Sequence, residues 1–165
     1  MPRTTFDALP PGSKVWALAA NRLLNPEEQA GFAAAVEKVE SVWDKKQPDL
    51  GACFEIREGQ FLIAGADQTR EVLDGCTVDA MMNWLGRFEQ AAGVQLTDRL
   101  TVHYRDRDGC IQPVSRAAFR DLYAAGEIDD ATPVFDTAIA HVEQLRAGLF
   151  ELPLAESWHK QLVAG

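Results

Sequence analysis

Residues 52–66, Ala-Cys-Phe-Glu-Ile-Arg-Glu-Gly-Gln-Phe-Leu-Ile-Ala-Gly-Ala, decide the fold. Ala52 to Arg57 alternates apolar and polar, which predicts a strand with Ala52, Phe54 and Ile56 on its inward face. Glu58-Gly59 supplies a turn, and Gln60 to Ala66 returns as a second, more apolar strand. The stretch is therefore a hairpin, and the elements on either side must complete its sheet.

Upstream, Lys14 to Ala20 is a short apolar run of the kind that forms a buried strand, after a turn-rich leader over residues 1–13. Asn25-Pro26-Glu27-Glu28 carries a helix start: Asn25 as N-cap, Pro26 at the first helical position and Glu28 as the capping-box acid. Phe32, Val36, Val39 and Trp43 then form one apolar stripe, and the helix should stop before Pro48. Downstream, a loop over 67–75 leads to a second helix starting near Thr77. It carries Val78, Met81, Met82, Leu85, Phe88 and Ala92 on one side, and Gly93 is its natural stop. Leu100 to Tyr104 alternates again, with Leu100, Val102 and Tyr104 inward and Thr101, His103 and Arg105 outward.

The order β-α-β-β-α-β predicts an α+β protein whose residues 14–106 form a ferredoxin-like antiparallel sheet covered on one face by two helices. The open face would carry Glu55, Arg57, His103 and Arg105, and the remaining chain is the best candidate to cover it. Residues 107–165 read as a second, smaller unit. Pro113 marks an edge strand within 110–114, Ser115 caps a helix that Gly126 stops, and 128–135 holds a turn and a short strand. Residues 138–147 are expected to be helical, 151–153 extended, and 154–162 a last amphipathic turn around Trp158.

Composition excludes several functions. The 165 residues carry a formal charge of −9, with 16 Lys and Arg against 25 Asp and Glu. Nucleic-acid binding and adsorption to an anionic membrane both need clustered basic residues, so neither is expected. No stretch is apolar for long enough to cross a bilayer, and no signal peptide is apparent in residues 1–12. Cys53, Cys76 and Cys110 form no C-x-x-C pair, which predicts reduced thiols in a cytoplasmic protein.

Two resemblances accompany this reading. Val15-Trp16, Asn21-Arg22, Phe54-Glu55-Ile56-Arg57, Gly75-Cys76-Thr77-Val78-Asp79 and Ser157-Trp158-His159, in that order, resemble a family of small bacterial proteins. Its mostly uncharacterised members are sometimes labelled "ABC transporter ATPase". That label implies a phosphate-binding G-x-x-x-x-G-K-[ST] loop, and the chain holds no Gly-Lys pair. Locally, Gln112-Pro113-Val114-Ser115, Phe119, Leu122, Ala125-Gly126-Glu127-Ile128 and Thr132-Pro133-Val134-Phe135 are similar to bacterial GYF-like domains. The likeness implies a small α/β appendage. GYF domains bind proline-rich peptides on an aromatic platform. The tripeptide that names them is absent, because Glu127 and Ile128 follow Gly126.

The sharpest chemical candidate is Cys76. It sits one residue before the expected N-cap, where unpaired N–H groups and the helix dipole favour a thiolate. His103 and His159 are the candidate bases for it. The competing account is a small residue packed at a strand–helix junction. Arg22, Asp67, Asp79 and Trp158 are candidate ligand-binding residues. Arg22 would meet an anion or an acidic neighbour, and Trp158 would close a pocket or anchor the tail. Asp67, Asp74 and Asp79 do not follow the spacing of a calcium loop, and capping explains them better than a metal. Neither a metal nor a cofactor is expected.

These residues lead to a non-enzymatic cytoplasmic module that binds a protein or small molecule near the 67–79 loop. A thiol-dependent enzyme or redox sensor centred on Cys76 is the alternative. The protein would be a monomer or a homodimer.

Overall fold

The computed structural model describes residues 5–164. The part of the expected leader formed by residues 1–4 lies outside the described residues. The fold is α+β, with five α-helices and two antiparallel sheets among the described residues.

The first sheet contains β1 (Lys14–Ala19), β2 (Gly51–Arg57) and β3 (Phe61–Asp67) in the order β1-β3-β2. The hairpin register pairs Arg57 with Phe61 and Gly51 with Asp67. Its turn places both Glu58 (φ 56°) and Gly59 (φ 67°) in the left-handed region, which glycine enters at no steric cost and glutamate does not. Two helices, α1 (Pro26–Lys46) and α2 (Gly75–Ala92), cover one face. The capping box on α1 forms as the sequence predicts: Asn25 Oδ1 accepts from Glu28 N at 2.8 Å, and Glu28 Oε1 accepts from Asn25 N at 3.0 Å. Phe32, Val36, Val39 and Trp43 are all buried beneath α1. Phe32 stacks on Phe88 of α2 with centroids 5.2 Å apart, and Trp43 meets Phe54 of β2 edge-on at 5.0 Å. Gly93 closes α2 at φ 67°.

The strand over residues 101–105 departs from the ferredoxin-like expectation. It does not pair with the first sheet. This β4 (Thr101–Arg105) lies inside a second sheet with β5 (Ile111–Ser115), β6 (Pro133–Phe135) and β7 (Glu151–Pro153), ordered β5-β4-β6-β7. The first sheet therefore has three strands, and the chain crosses to the second sheet before β4 rather than after residue 106. Ser115 Oγ caps α3 (Arg116–Ala124) by accepting from Ala118 N at 3.1 Å. The last two helices, α4 (Val142–Arg146) and α5 (Lys160–Val163), are one turn each. The expected helix over 138–147 is shorter than predicted because residues 139–141 are extended. They lie along β1, where Val15 N donates to Ala140 O and Val142 N donates to Ser13 O, both at 3.0 Å.

The face of the first sheet away from α1 and α2 is covered by the chain's own C-terminal part. Val15, Cys53, Phe61 and Ile63 pack there against Ile111, Phe135, Ile139, Val142 and Phe150. Phe61 is central, stacked on Phe135 at 4.8 Å and edge-on to Phe150 at 5.2 Å. A third core fills the second sheet's other side, where Val102, Tyr104, Phe119, Val134 and Leu154 meet.

Candidate functional site

The structure separates the residues that sequence reasoning grouped. Asp74, not Thr77, is the N-cap of α2, since its Oδ1 accepts from Thr77 N at 2.7 Å. Cys76 is thus inside the first helical turn rather than before it, and its side chain is exposed. His103 does not face solvent. It is 3% exposed, its Nε2 lies 2.8 Å from Ala20 O, and its ring meets Phe61 edge-on at 5.2 Å. Ala20 sits beyond the C-terminal end of α2, because Ala19 N donates to Leu96 O and Asn21 N to Gln95 O. From Cys76 to Ala92 the helix rises about 24 Å at 1.5 Å per residue, and His103 is tied to the segment that follows its C-terminal end, whereas Cys76 is at its N-terminal end.

His159 belongs with His103. It is 4% exposed, and its Nδ1 lies 2.6 Å from Ser157 Oγ. Burial pushes it down to about 4, against the pull of Asp136 and helped by Arg116 and His103. Burial also lowers His103, against the Ala20 carbonyl and Asp98, which favour its charged form. Both rings are therefore neutral packing groups at neutral pH.

The ligand-binding candidates also disperse. Arg22 makes an ion pair with Glu28, Nη1 to Oε1 at 2.9 Å, and donates to Ala92 O at the C-terminal end of α2. That partner holds Glu28 down at about 2, with the Asn25 N–H adding to it. Asp67 lies near the opposite end of α2, its Oδ1 accepting from Thr69 N at 2.9 Å, and Asp79 is exposed on α2. Trp158 is 40% exposed, stacked on His159 at 3.9 Å, with its Nε1 donating to Asp136 Oδ1 at 3.1 Å. It is held by its neighbours but not sunk into the core. Among the described residues no group of three or more His, Cys, Asp or Glu is placed to hold a metal, and no helix is long and apolar enough to cross a membrane.

What the sequence did not reveal is a groove of about 770 Å³ between β2 and β7. Its apolar floor and walls include Ile56, Phe135, Leu145, Phe150 and Leu152. Arg105 ties the hairpin turn to β7, its Nη2 2.8 Å from Glu58 Oε1 and its Nε 2.9 Å from Glu151 Oε2. Arg57 pairs with Glu55 at 3.1 Å and lies over the Phe150 ring. Every charge named on the rim is thus ion-paired, with Arg105 shared between two carboxylates.

One wall of this groove is a sheet edge, β2, that pairs with no further strand among the described residues. In an antiparallel ladder the N–H and C=O of one residue point the same way, and the direction alternates along the strand. Val15 and Ala19 donate away from β3, so the even residues of β1 pair with Leu62, Ala64 and Ala66. Phe61, Ile63 and Gly65 then pair with Arg57, Glu55 and Cys53, which leaves the main-chain groups of Phe54 and Ile56 directed out of the sheet. Both outer strands of the second sheet, by contrast, contain a proline, Pro113 in β5 and Pro153 in β7. Comparison with family models, with curated proteins and with solved structures finds no match to the chain.

Proposed function

We propose that the protein is a non-enzymatic binding module that receives an extended segment of a partner protein along β2. The observation that carries this reading is the outward-facing main chain of Phe54 and Ile56 beside the apolar groove. Added strands gain affinity from main-chain hydrogen bonds and specificity from side-chain pockets. The rim charges are engaged with one another, which favours a partner segment with apolar anchors. Free cysteines suit a reducing compartment, which supports a cytoplasmic setting. The GYF-like likeness of residues 112–135 agrees with peptide recognition as the class of activity. The part of the resemblance that implies ATP binding is not carried into the proposal.

The test is selection from a displayed random-peptide library, followed by affinity measurement on wild type and on Leu152→Glu. Leu152 is half-buried in the groove wall, so the substitution blocks the groove without emptying the core. Enriched peptides should lose at least tenfold in affinity for Leu152→Glu. Failure to enrich any sequence, or equal binding to both proteins, defeats the proposal.

A second reading, thiol chemistry at Cys76, is supported by the exposure of its sulfur in the first turn of α2. It requires a base from the substrate, because both candidate histidines are buried against other partners, His103 on Ala20 O and His159 on Ser157 Oγ.

A further inference from the structure

The opposite edge of the first sheet carries a second site, independent of the β2 groove. Both ends of β1 are covered by the chain itself: Val15 N donates to Ala140 O, and Ala19 N donates to Leu96 O. Ala17 lies midway. By the same alternation its N–H and C=O point outward, and neither finds a hydrogen-bond partner among the described residues. Unpaired main-chain groups at a strand edge are a template for another strand.

A groove of about 360 Å³ opens at this gap, lined by Lys14, Trp16, Ala17, Arg99, Thr137 and His141 among others. Every ionisable side chain lining it is a base, in a protein whose net charge is −9. Lys14 and Arg99 are exposed and make no ion pair or side-chain hydrogen bond among the described residues. Glu143 lies close enough to His141 to interact with it electrostatically and also accepts from Gly12 N, so the uncompensated positive charge of the groove is that of Lys14 and Arg99. Two further acids nearby in sequence make hydrogen bonds of their own. Asp98 accepts from Leu100 N and Thr101 Oγ1, at 2.9 and 3.2 Å. Asp136 accepts from Ala138 N and Trp158 Nε1.

We propose that this groove binds an acidic peptide segment in extended conformation. Its main chain pairs with Ala17, and its carboxylates lie against Lys14 and Arg99. The covered ends of β1 restrict the added strand to a few residues. The free guanidinium and ammonium select against basic or neutral sequences, and the acidity of the remaining surface repels the same peptide elsewhere.

The probe is a fluorescein-labelled Glu-Val-Glu-Val-Glu peptide, read by anisotropy, with Lys-Val-Lys-Val-Lys as its control. Saturable binding of the acidic peptide alone is expected. It should weaken at least tenfold in Arg99→Glu and in Lys14→Glu, both exposed positions that leave the core intact. Amide exchange at Ala17 should slow on binding while the β2 amides stay unchanged. Absence of binding at millimolar peptide overturns the proposal, as does equal binding to the charge-reversed variants. Inorganic phosphate displacing the peptide with equal affinity would make this a small-anion site and also overturn it. None of these outcomes bears on the β2 groove, which the Leu152→Glu experiment reads separately.

Discussion

At the residue scale, the three cysteines illustrate how a side chain's surroundings override its type. Cys53 is buried between the sheets, and burial, with a lesser push from Glu55, raises its thiol to about 12. Cys76 and Cys110 are exposed. The thiolate is the nucleophile, so iodoacetamide should modify Cys76 and Cys110 in the folded protein and reach Cys53 only on unfolding. Mass spectrometry of timed samples checks this. A Cys76 rate well above that of Cys110 below neutral pH would favour the thiol reading, and equal rates would remove it. Gln47 is a contrasting residue that nothing in the sequence marked. It is buried, its Nε2 donates to Val72 O at 2.8 Å, and its Oε1 accepts from Asp74 N at 3.0 Å. It fixes the loop that presents Cys76, but no local pattern distinguishes it from a solvated glutamine at a helix end.

At the scale of elements, signals that depend on near neighbours were legible and signals that depend on distant partners were not. The capping box, the hairpin turn, the Gly93 stop and the Ser115 cap are all local, and each forms where the residues place it. Replacing Asn25 by Ala removes one half of a reciprocal cap and should cost about 1 kcal/mol, read as a lower urea midpoint with an unchanged slope. Ser115→Ala should cost a similar amount. The β4 strand shows the limit. Alternation over 100–104 fixed which residues share a face, but not which sheet the strand would join. Val102 and Tyr104 face the third core while His103 faces the first sheet, so both sides of the strand are covered. A histidine in an alternating strand reads as the solvent side, and only the fold supplies the Ala20 carbonyl that lets it be buried. The shortened α4 has the same cause, since residues 139–141 gain more from lying along β1 than from helical bonds. The two grooves are still less legible, because each joins strand edges far apart in sequence.

At the scale of the whole molecule, the two sheets are locked together by a core containing Phe61, Phe135 and Phe150 and by neutral His103 against Phe61 and the Ala20 carbonyl, while His159 is buried on the C-terminal segment beside Ser157 and Trp158. Acid should therefore loosen the protein in two steps. His159 is held at about 4 when folded, against 6.5 as the ordinary value, and His103 is lowered in the same direction. Between those values the unfolded chain binds more protons than the folded one, so stability rises with pH there. The histidine contribution is complete above pH 6.5 and is lost as the pH falls towards 4. For His159 the full span is worth about 3 kcal/mol. Burial sets the sign, and among the groups around this ring Asp136 opposes the shift while Arg116 and His103 add to it. The carboxylates act lower on the scale. Glu28, Asp74, Asp106, Asp130 and Glu143 are all depressed by hydrogen-bond donors or cations, so their support is lost as the pH drops below about 4.5 towards their folded values. Urea midpoints measured from pH 7.5 to 3 should fall first between 6.5 and 4.5, then more steeply. In His159→Asn the first decline should flatten while the second remains. A first decline of unchanged size in that variant would assign it to other groups and leave His159 without a role in acid stability.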